Sequence, residues 1–203
     1  IAGCLILVAI LIWGCSSISA TQTEVIIDLS SELGQATYRA SGFLHSFGAS
    51  VPPDDTVVPL KPQMFRVRPD NQYLFARGYY ERIKSLGATI QILPNGVYNL
   101  LYTKDSEESP YWPGDNGDWT LWEELLETLA TKIKMEGFDV QWDVWNEPDY
   151  PSYWKRSREQ FFETWRRSVL QIRKVDPFAV IVGPSIGTFD PKFMEEFLLY
   201  AKE

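Results

Sequence analysis

From about residue 41 to the end of the chain, short apolar runs alternate with longer stretches in which apolar residues recur every three or four positions. The first pattern belongs to strands and the second to helices, so the chain reads as successive β and α elements. Gly42–Gly48 predicts a first strand and Met64–Arg68 a second, stopped by Pro69, with a Pro-rich loop from Val51 to Pro62 between them. A helix is expected from about Gln72 to Leu86, with Leu74, Tyr79, Ile83 and Leu86 on its apolar side and Gly87 at its C-cap. Ala88–Leu93, stopped by Pro94, predicts the third strand. A helix opened by Asp118 or Thr120 and running to about Met135 would turn Leu121, Leu125, Leu129 and Ile133 inward. Another spans Arg158 to Val175 with Phe161, Trp165, Val169 and Ile172 along one side. Ala179–Val182 predicts the fifth strand, and Asp190–Pro191 supplies the N-cap and first helical residue of a closing helix.

The fourth strand is the stretch from Phe138 to Asp149. Val140, Trp142 and Val144 alternate there with Asp139, Gln141 and Asp143, which gives one apolar and one polar face. Pro148 cannot donate to a ladder and turns Glu147 away from helical dihedrals, so the strand is expected to stop with the Glu147 side chain at its tip. Five strands with helices after most of them, each stopped by Pro, Asn or Gly, define an α/β chain. The pattern fits a (β/α)8 TIM barrel truncated after about its first five βα units, since a complete barrel needs roughly 250 residues. An open doubly wound sheet is the alternative. In a barrel the C-terminal strand tips converge on the active site, which would put Glu147 at the mouth.

Composition narrows the partners. The chain has 203 residues, 45% hydrophobic and 14% aromatic, enough to bury a core in one domain. A net charge of -8 with no basic patch argues against nucleic acid or an anionic membrane and favours neutral ligands. Ile1–Trp13 is almost wholly apolar and too short for a comfortable membrane span, which predicts an export leader over residues 1–20. Ile12–Cys15 resembles a lipoprotein cleavage box that would put a lipid anchor on Cys15; cleavage after Ala20 with plain secretion is the other reading. Residues 21–40 are expected to be a linker or irregular segment, and 41–203 the partial barrel domain. Both cysteines, Cys4 and Cys15, fall in the leader, and His45 is the sole histidine. No disulfide, zinc site or other metal is therefore expected, and with no phosphate-binding glycine loop no cofactor is either.

Trp142-Asp-Val-Trp-Asn-Glu-Pro-Asp149 resembles the acid/base motif of the large clan of barrel glycoside hydrolases, and most closely that of glycoside hydrolase family 39, which includes β-xylosidases and α-L-iduronidases. Trp122 and its helix, Tyr153-Trp154-Lys155 and Val182-Gly-Pro-Ser185 extend the resemblance over roughly residues 60 to 190. It implies a retaining glycosidase acting on an oligo- or polysaccharide, of xylosidase type, with Glu147 as general acid/base and Asn146 bonded to the sugar 2-hydroxyl. A carboxyl that donates a proton near neutrality needs an enclosed apolar surrounding, which nearby Trp and Tyr rings would supply. Arg66 matches the family's second-strand arginine, which helps to hold the nucleophile as an anion; Arg68 is the alternative. The family places that nucleophile on a seventh strand. This chain is accordingly expected to carry half of the catalytic pair and to be inert alone.

Other residues can be placed by position. His45, near the first strand tip, is either a sugar-hydroxyl contact or a structural histidine. Asp143 shares a strand face with Glu147 and is expected to brace the site rather than react. Tyr98, Tyr102, Tyr111 and Trp112 crowd the segment Asn95–Asp118 with Trp119 next to it, and Tyr150, Tyr153 and Trp154 follow the motif. As a group these rings suit stacking on sugars, with Trp112, Tyr150 and Trp154 the selected contacts. Gly183-Pro-Ser-Ile-Gly187 matches a serine nucleophile elbow, which makes an esterase using Ser185 the rival enzyme class. A barrel that binds glycans without cutting them is the non-enzymatic alternative.

Overall fold

The computed structural model describes residues 26, 28, 30, 34, 35, 37–44, 47–69, 75, 78–95 and 112–202. The chain divides into two units, Ile1–Ala36 and Thr37–Glu203. In the first, Asp28 accepts hydrogen bonds from the N–H and hydroxyl of Ser30 at 2.9 and 2.6 Å. Cys4, Cys15 and the expected cleavage site after Ala20 lie outside the described residues.

The second unit is organised on a five-stranded, all-parallel sheet. Strands β1 (Gly42–Leu44), β2 (Met64–Val67), β3 (Thr89–Ile92), β4 (Gln141–Asp143) and β5 (Val180–Val182) lie side by side in chain order. A doubly wound sheet reverses its order at a switch point, and this order contains no reversal. The helices are α1 (Asp54–Val57), α2 (Tyr79–Ser85), α3 (Thr120–Met135), α4 (Arg158–Val175) and α5 (Pro191–Ala201). The Pro-rich loop is thus partly helical, with α1 running into a 3-10 turn at Val58–Leu60. Arg82 of α2 holds that loop by donating to the carbonyls of Gly48 and Pro52 and to the Asp54 carboxylate.

The two faces of the sheet differ. Phe65, Val67, Ile90, Ile92 and Trp142 point to one side and are buried in the core with Ile83 of α2, Trp122 and Leu126 of α3, and Phe161 of α4. The opposite row pairs Leu44 with Arg66, Arg66 with Gln91, Gln91 with Gln141 and Gln141 with Val180. That row is half-polar and open, with Leu44 57% and Val180 51% exposed at its two ends.

Local signals account for most element ends. Ser157 caps α4 by accepting from the Gln160 N–H at 3.1 Å, and Asp190 caps α5 by accepting from Phe193 at 3.0 Å with Pro191 behind it. Gly87 follows α2 with φ 74 and bonds back to the Lys84 carbonyl, the backbone that glycine tolerates best. Of the helix expected from Gln72, the described part is Tyr79–Ser85; Gln72 and Leu74 lie outside the described residues.

Three expectations are corrected. Helix α3 buries Leu129 and Ile133 as expected and packs Leu125 half-buried on the core, but its inward face also takes in Trp122, Leu126 and Ala130, while Leu121 is exposed. At its start Trp122 turns inward because it is the helix's largest apolar side chain and its indole N–H finds the buried Ser168 hydroxyl at 2.7 Å. Helix α4 likewise buries Phe162, Thr164 and Ser168 beside Phe161 and Ile172, with Trp165 and Val169 half-buried. Strand β4 ends at Asp143, four residues before Glu147. Glu147 has φ 49, in the left-handed region, so it stands on a loop beyond the ladder and not on the strand's last residue.

Candidate active site

At the C-terminal edge of the sheet, four side chains from three elements form one hydrogen-bonded chain. Arg66 on β2 is in register with Gln91 and, through it, with Gln141; Asp143 lies two residues beyond Gln141 and so faces the same side. The Asp143 carboxylate is 1% exposed. Its Oδ2 accepts from Arg66 Nε at 2.8 Å and Nη2 at 2.5 Å, and its Oδ1 accepts from the Ser185 hydroxyl at 2.7 Å. The remaining edge of the guanidinium donates from Nη1 to Asn146 Oδ1 at 3.0 Å. Burial pushes the Asp143 carboxyl above the usual carboxylate range, with the Arg66 charge and the Ser185 and Arg66 hydrogen bonds acting in the opposite sense.

Glu147 is half-buried one residue further on. Its N–H donates to the Ser185 carbonyl at 2.9 Å, which carries the β4–β5 neighbourhood past the end of the ladder. Its carbonyl accepts from Tyr150 N–H at 3.1 Å and closes a tight turn around Pro148 and Asp149. The Asp149 carboxylate then accepts from the Gly187 N–H at 2.7 Å, the Thr188 N–H at 3.0 Å and the Thr188 hydroxyl at 2.8 Å. Burial opposes its ionised form, but these donors outweigh burial and leave the carboxyl below its usual range. Gly187 must be small: a Cβ there would strike the Tyr150 ring, 2.7 Å from Cδ2, and lie 2.9 Å from Glu147 Cγ.

The expected site residues separate into groups. Arg66 and Asn146 are hydrogen-bonded, Glu147 follows Asn146 on the same loop, and Glu147 Cγ and the exposed Tyr150 both lie against Gly187. Trp112 and Trp154, expected as sugar contacts, are packed in the core at 8% and 4% exposure. Their rings pack with Trp145, at centroid separations of 5.9 Å from Trp112 and 5.0 Å from Trp154. Trp154 and Trp145 donate their indole N–H groups to the carbonyls of Ser157 and Tyr153. Tyr153 is exposed, and the Trp119 indole donates to Thr164 with the Arg167 guanidinium over its ring. His45, Tyr98, Tyr102 and Tyr111 lie outside the described residues.

Ser185 is not built as a nucleophile elbow. Its hydroxyl is given to a carboxylate that already pairs with arginine, and α5 begins six residues later, at Pro191, where an elbow would start its helix at once. The Ser185, Asp149 and Gly187 contacts escape sequence reading because each joins residues about forty positions apart; the Gly-Thr pair after β5 is the one local sign of a close backbone approach. Among the described residues, no three His, Cys, Asp or Glu side chains are grouped as metal ligands.

No protein-family model matches the chain. Over 103 residues, 46% of this chain, it is 23% identical to a protein of Geobacillus stearothermophilus named Beta-xylosidase, and the match spans 20% of that protein. The solved structure of a glucosidase from Croceicoccus marinus superposes with a TM-score of 0.55 at 18% identity, covering 80% of this chain and 40% of that one. The structure of N2152 from Neocallimastix frontalis gives a TM-score of 0.48 at 21% identity over 72% of this chain and 36% of that one, a likeness too slight to argue from. The chain therefore spans less than half the length of the proteins it resembles, and it shares its α/β fold with part of the glucosidase.

Proposed function

We propose that the chain is the first five βα units of a (β/α)8-barrel glycoside hydrolase of the family 39 type, and that Glu147 is the general acid/base of a retaining reaction. The observation that carries the reading is the joining of Asn146, next to Glu147, to Arg66 at the C-terminal edge of a parallel sheet in sequential order. That edge is where barrel enzymes assemble their chemistry. The likeness to a protein named Beta-xylosidase and the fold shared with a glucosidase support the same assignment and make a xylose-type glycoside the first substrate to try.

In this reading Glu147 protonates the glycosidic oxygen as the bond to the leaving group breaks, then takes a proton from the water that releases the sugar. Asn146 contacts the 2-hydroxyl. A retaining reaction needs a second carboxylate about 5 to 5.5 Å from the first. Asp143 and Asp149 are each committed to other donors, so the nucleophile is assigned to a strand beyond β5, where the resemblance places it. Export, with lipidation at Cys15 or cleavage after Ala20, belongs to the same proposal.

The test is Glu147→Gln in the full-length gene product. Turnover of aryl glycosides with poor leaving groups should fall by about 10² to 10⁴, and activated leaving groups should suffer less, because they need little protonation. Equal turnover in parent and variant would sink the assignment.

A further inference from the structure

We propose that Asp143 and Ser185 are positioning residues that set the side-chain amide of Asn146, through Arg66, so that its NH2 is the end offered to substrate. The inference rests on the glycosidase reading for the ligand, though not for the geometry.

An asparagine amide has an accepting end and a donating end of almost the same shape, and only its partners decide which way it faces. Arg66 can only donate. Its Nη1, 3.0 Å from the Asn146 side chain, therefore fixes the oxygen toward the arginine and leaves Nδ2, which makes no hydrogen bond among the described residues, for a ligand acceptor. The guanidinium is a rigid plane, so wherever its Nε/Nη2 edge is held, the direction of Nη1 follows. That edge is held by Oδ2 of Asp143 alone. Oδ1 is occupied by the Ser185 hydroxyl at 2.7 Å, which prevents the carboxylate from turning to take the guanidinium on both oxygens. A half-buried serine on the β5 loop thus determines how an amide on the β4 loop meets the sugar.

The ligand chemistry follows from the donor. An NH2 group left for a ligand requires an acceptor oxygen on the sugar, and a hydroxyl next to the reacting carbon supplies it. Substrates that lack that hydroxyl should be indifferent to the relay.

The experiment compares the full-length protein with Ser185→Ala, Asn146→Ala and the double variant, on an aryl glycoside and its 2-deoxy counterpart. Ser185→Ala should lower kcat/KM for the first substrate about tenfold, which is the value of one hydrogen bond to a charged group, and leave the second within about twofold. In the Asn146→Ala background Ser185→Ala should have no further effect. Equal losses on both substrates, or additive losses in the double variant, would overturn the relay. A second measurement is independent of turnover. With asparagine side chains labelled with 15N, the NH2 resonances of Asn146, assigned by their absence in Asn146→Ala, should shift in Ser185→Ala and in Asp143→Asn. Unchanged resonances refute the relay even if the enzyme is a glycosidase; shifted resonances in a protein whose Glu147→Gln variant is unimpaired refute the glycosidase reading alone.

Discussion

Glu147 combines a left-handed backbone with a side chain packed against the bare backbone of Gly187. Pro148 disfavours the right-handed helical region for the residue before it, and the hydrogen bond to the Ser185 carbonyl holds the alternative at a cost of about 1–2 kcal/mol. Gly187→Ala is a sharp probe of this contact. The added methyl must displace Tyr150 and Glu147, both of which can swing toward solvent, so we predict a small change in stability with a large change in chemistry. The melting temperature should move by less than about 3 °C while kcat/KM falls about tenfold or more. A variant that unfolds, or one that turns over normally, contradicts that account. Asn146, Glu147 and Arg66 could be named as candidates from the sequence because the motif and the β2 pattern carry them locally. The contacts of Ser185 and Asp149 could not, since a hydroxyl or a turn aspartate is silent until folding supplies the residue forty positions away.

Between elements, the contact of α4 with α5 turns on one carboxylate. Glu163 accepts from Arg166 at 2.8 Å through both Nε and Nη2, and from Arg167 and the Tyr200 hydroxyl at 2.6 Å each. The Arg166 hydrogen bonds are the main cause holding its carboxyl at about 2, from an ordinary 4.5; burial opposes them, and Tyr200 and Arg167 assist. A group whose value is lower in the folded state stabilises the fold fully above its unfolded value and loses that effect as pH falls through the folded one. The contribution, on the order of 1 kcal/mol after solvent screening, should therefore fade between pH 4.5 and about 2. Unfolding free energies measured by denaturant across that range should decline less steeply in Glu163→Gln than in the parent; parallel acid limbs would contradict the prediction. The ends of α4 and α5 were readable because capping and proline are local signals. The inward face of α3 was readable at Leu129 and Ile133 but not at its start, where Trp122 and not Leu121 turns inward because its indole finds Ser168 on another helix.

For the whole molecule, sequential parallel strands and the polar row Arg66, Gln91 and Gln141 set the character of the sheet's open face. The net charge of -8 belongs to a chain whose site arginine, Arg66, is already paired with Asp143, so the site presents no unpaired cation among the described residues named in it. A neutral sugar should feel little of that field. We predict that KM for an uncharged aryl glycoside changes by less than about twofold between roughly 0.05 and 0.5 M salt, because there is no long-range attraction to screen. A steep salt dependence would point to a charged substrate instead. The α/β alternation and the strand count were legible from apolar periodicity, but the chain-order pairing was not, since a doubly wound sheet returns its helices just as regularly. The open face was not, since the alternation that marks a half-buried strand does not say what, if anything, covers its second side.

The bonds from Asp149 to Gly187 and Thr188, with that from Glu147 to Ser185, make the segments after β4 and β5 inseparable. Recombination with a homologue that crosses over within α4 would keep every helix intact yet pair a carboxylate from one parent with amides from another. Crossovers ahead of Phe138 or after Asp190 transfer these joined segments whole, so on the proposed reading specificity is inherited as a block of about fifty residues and not loop by loop.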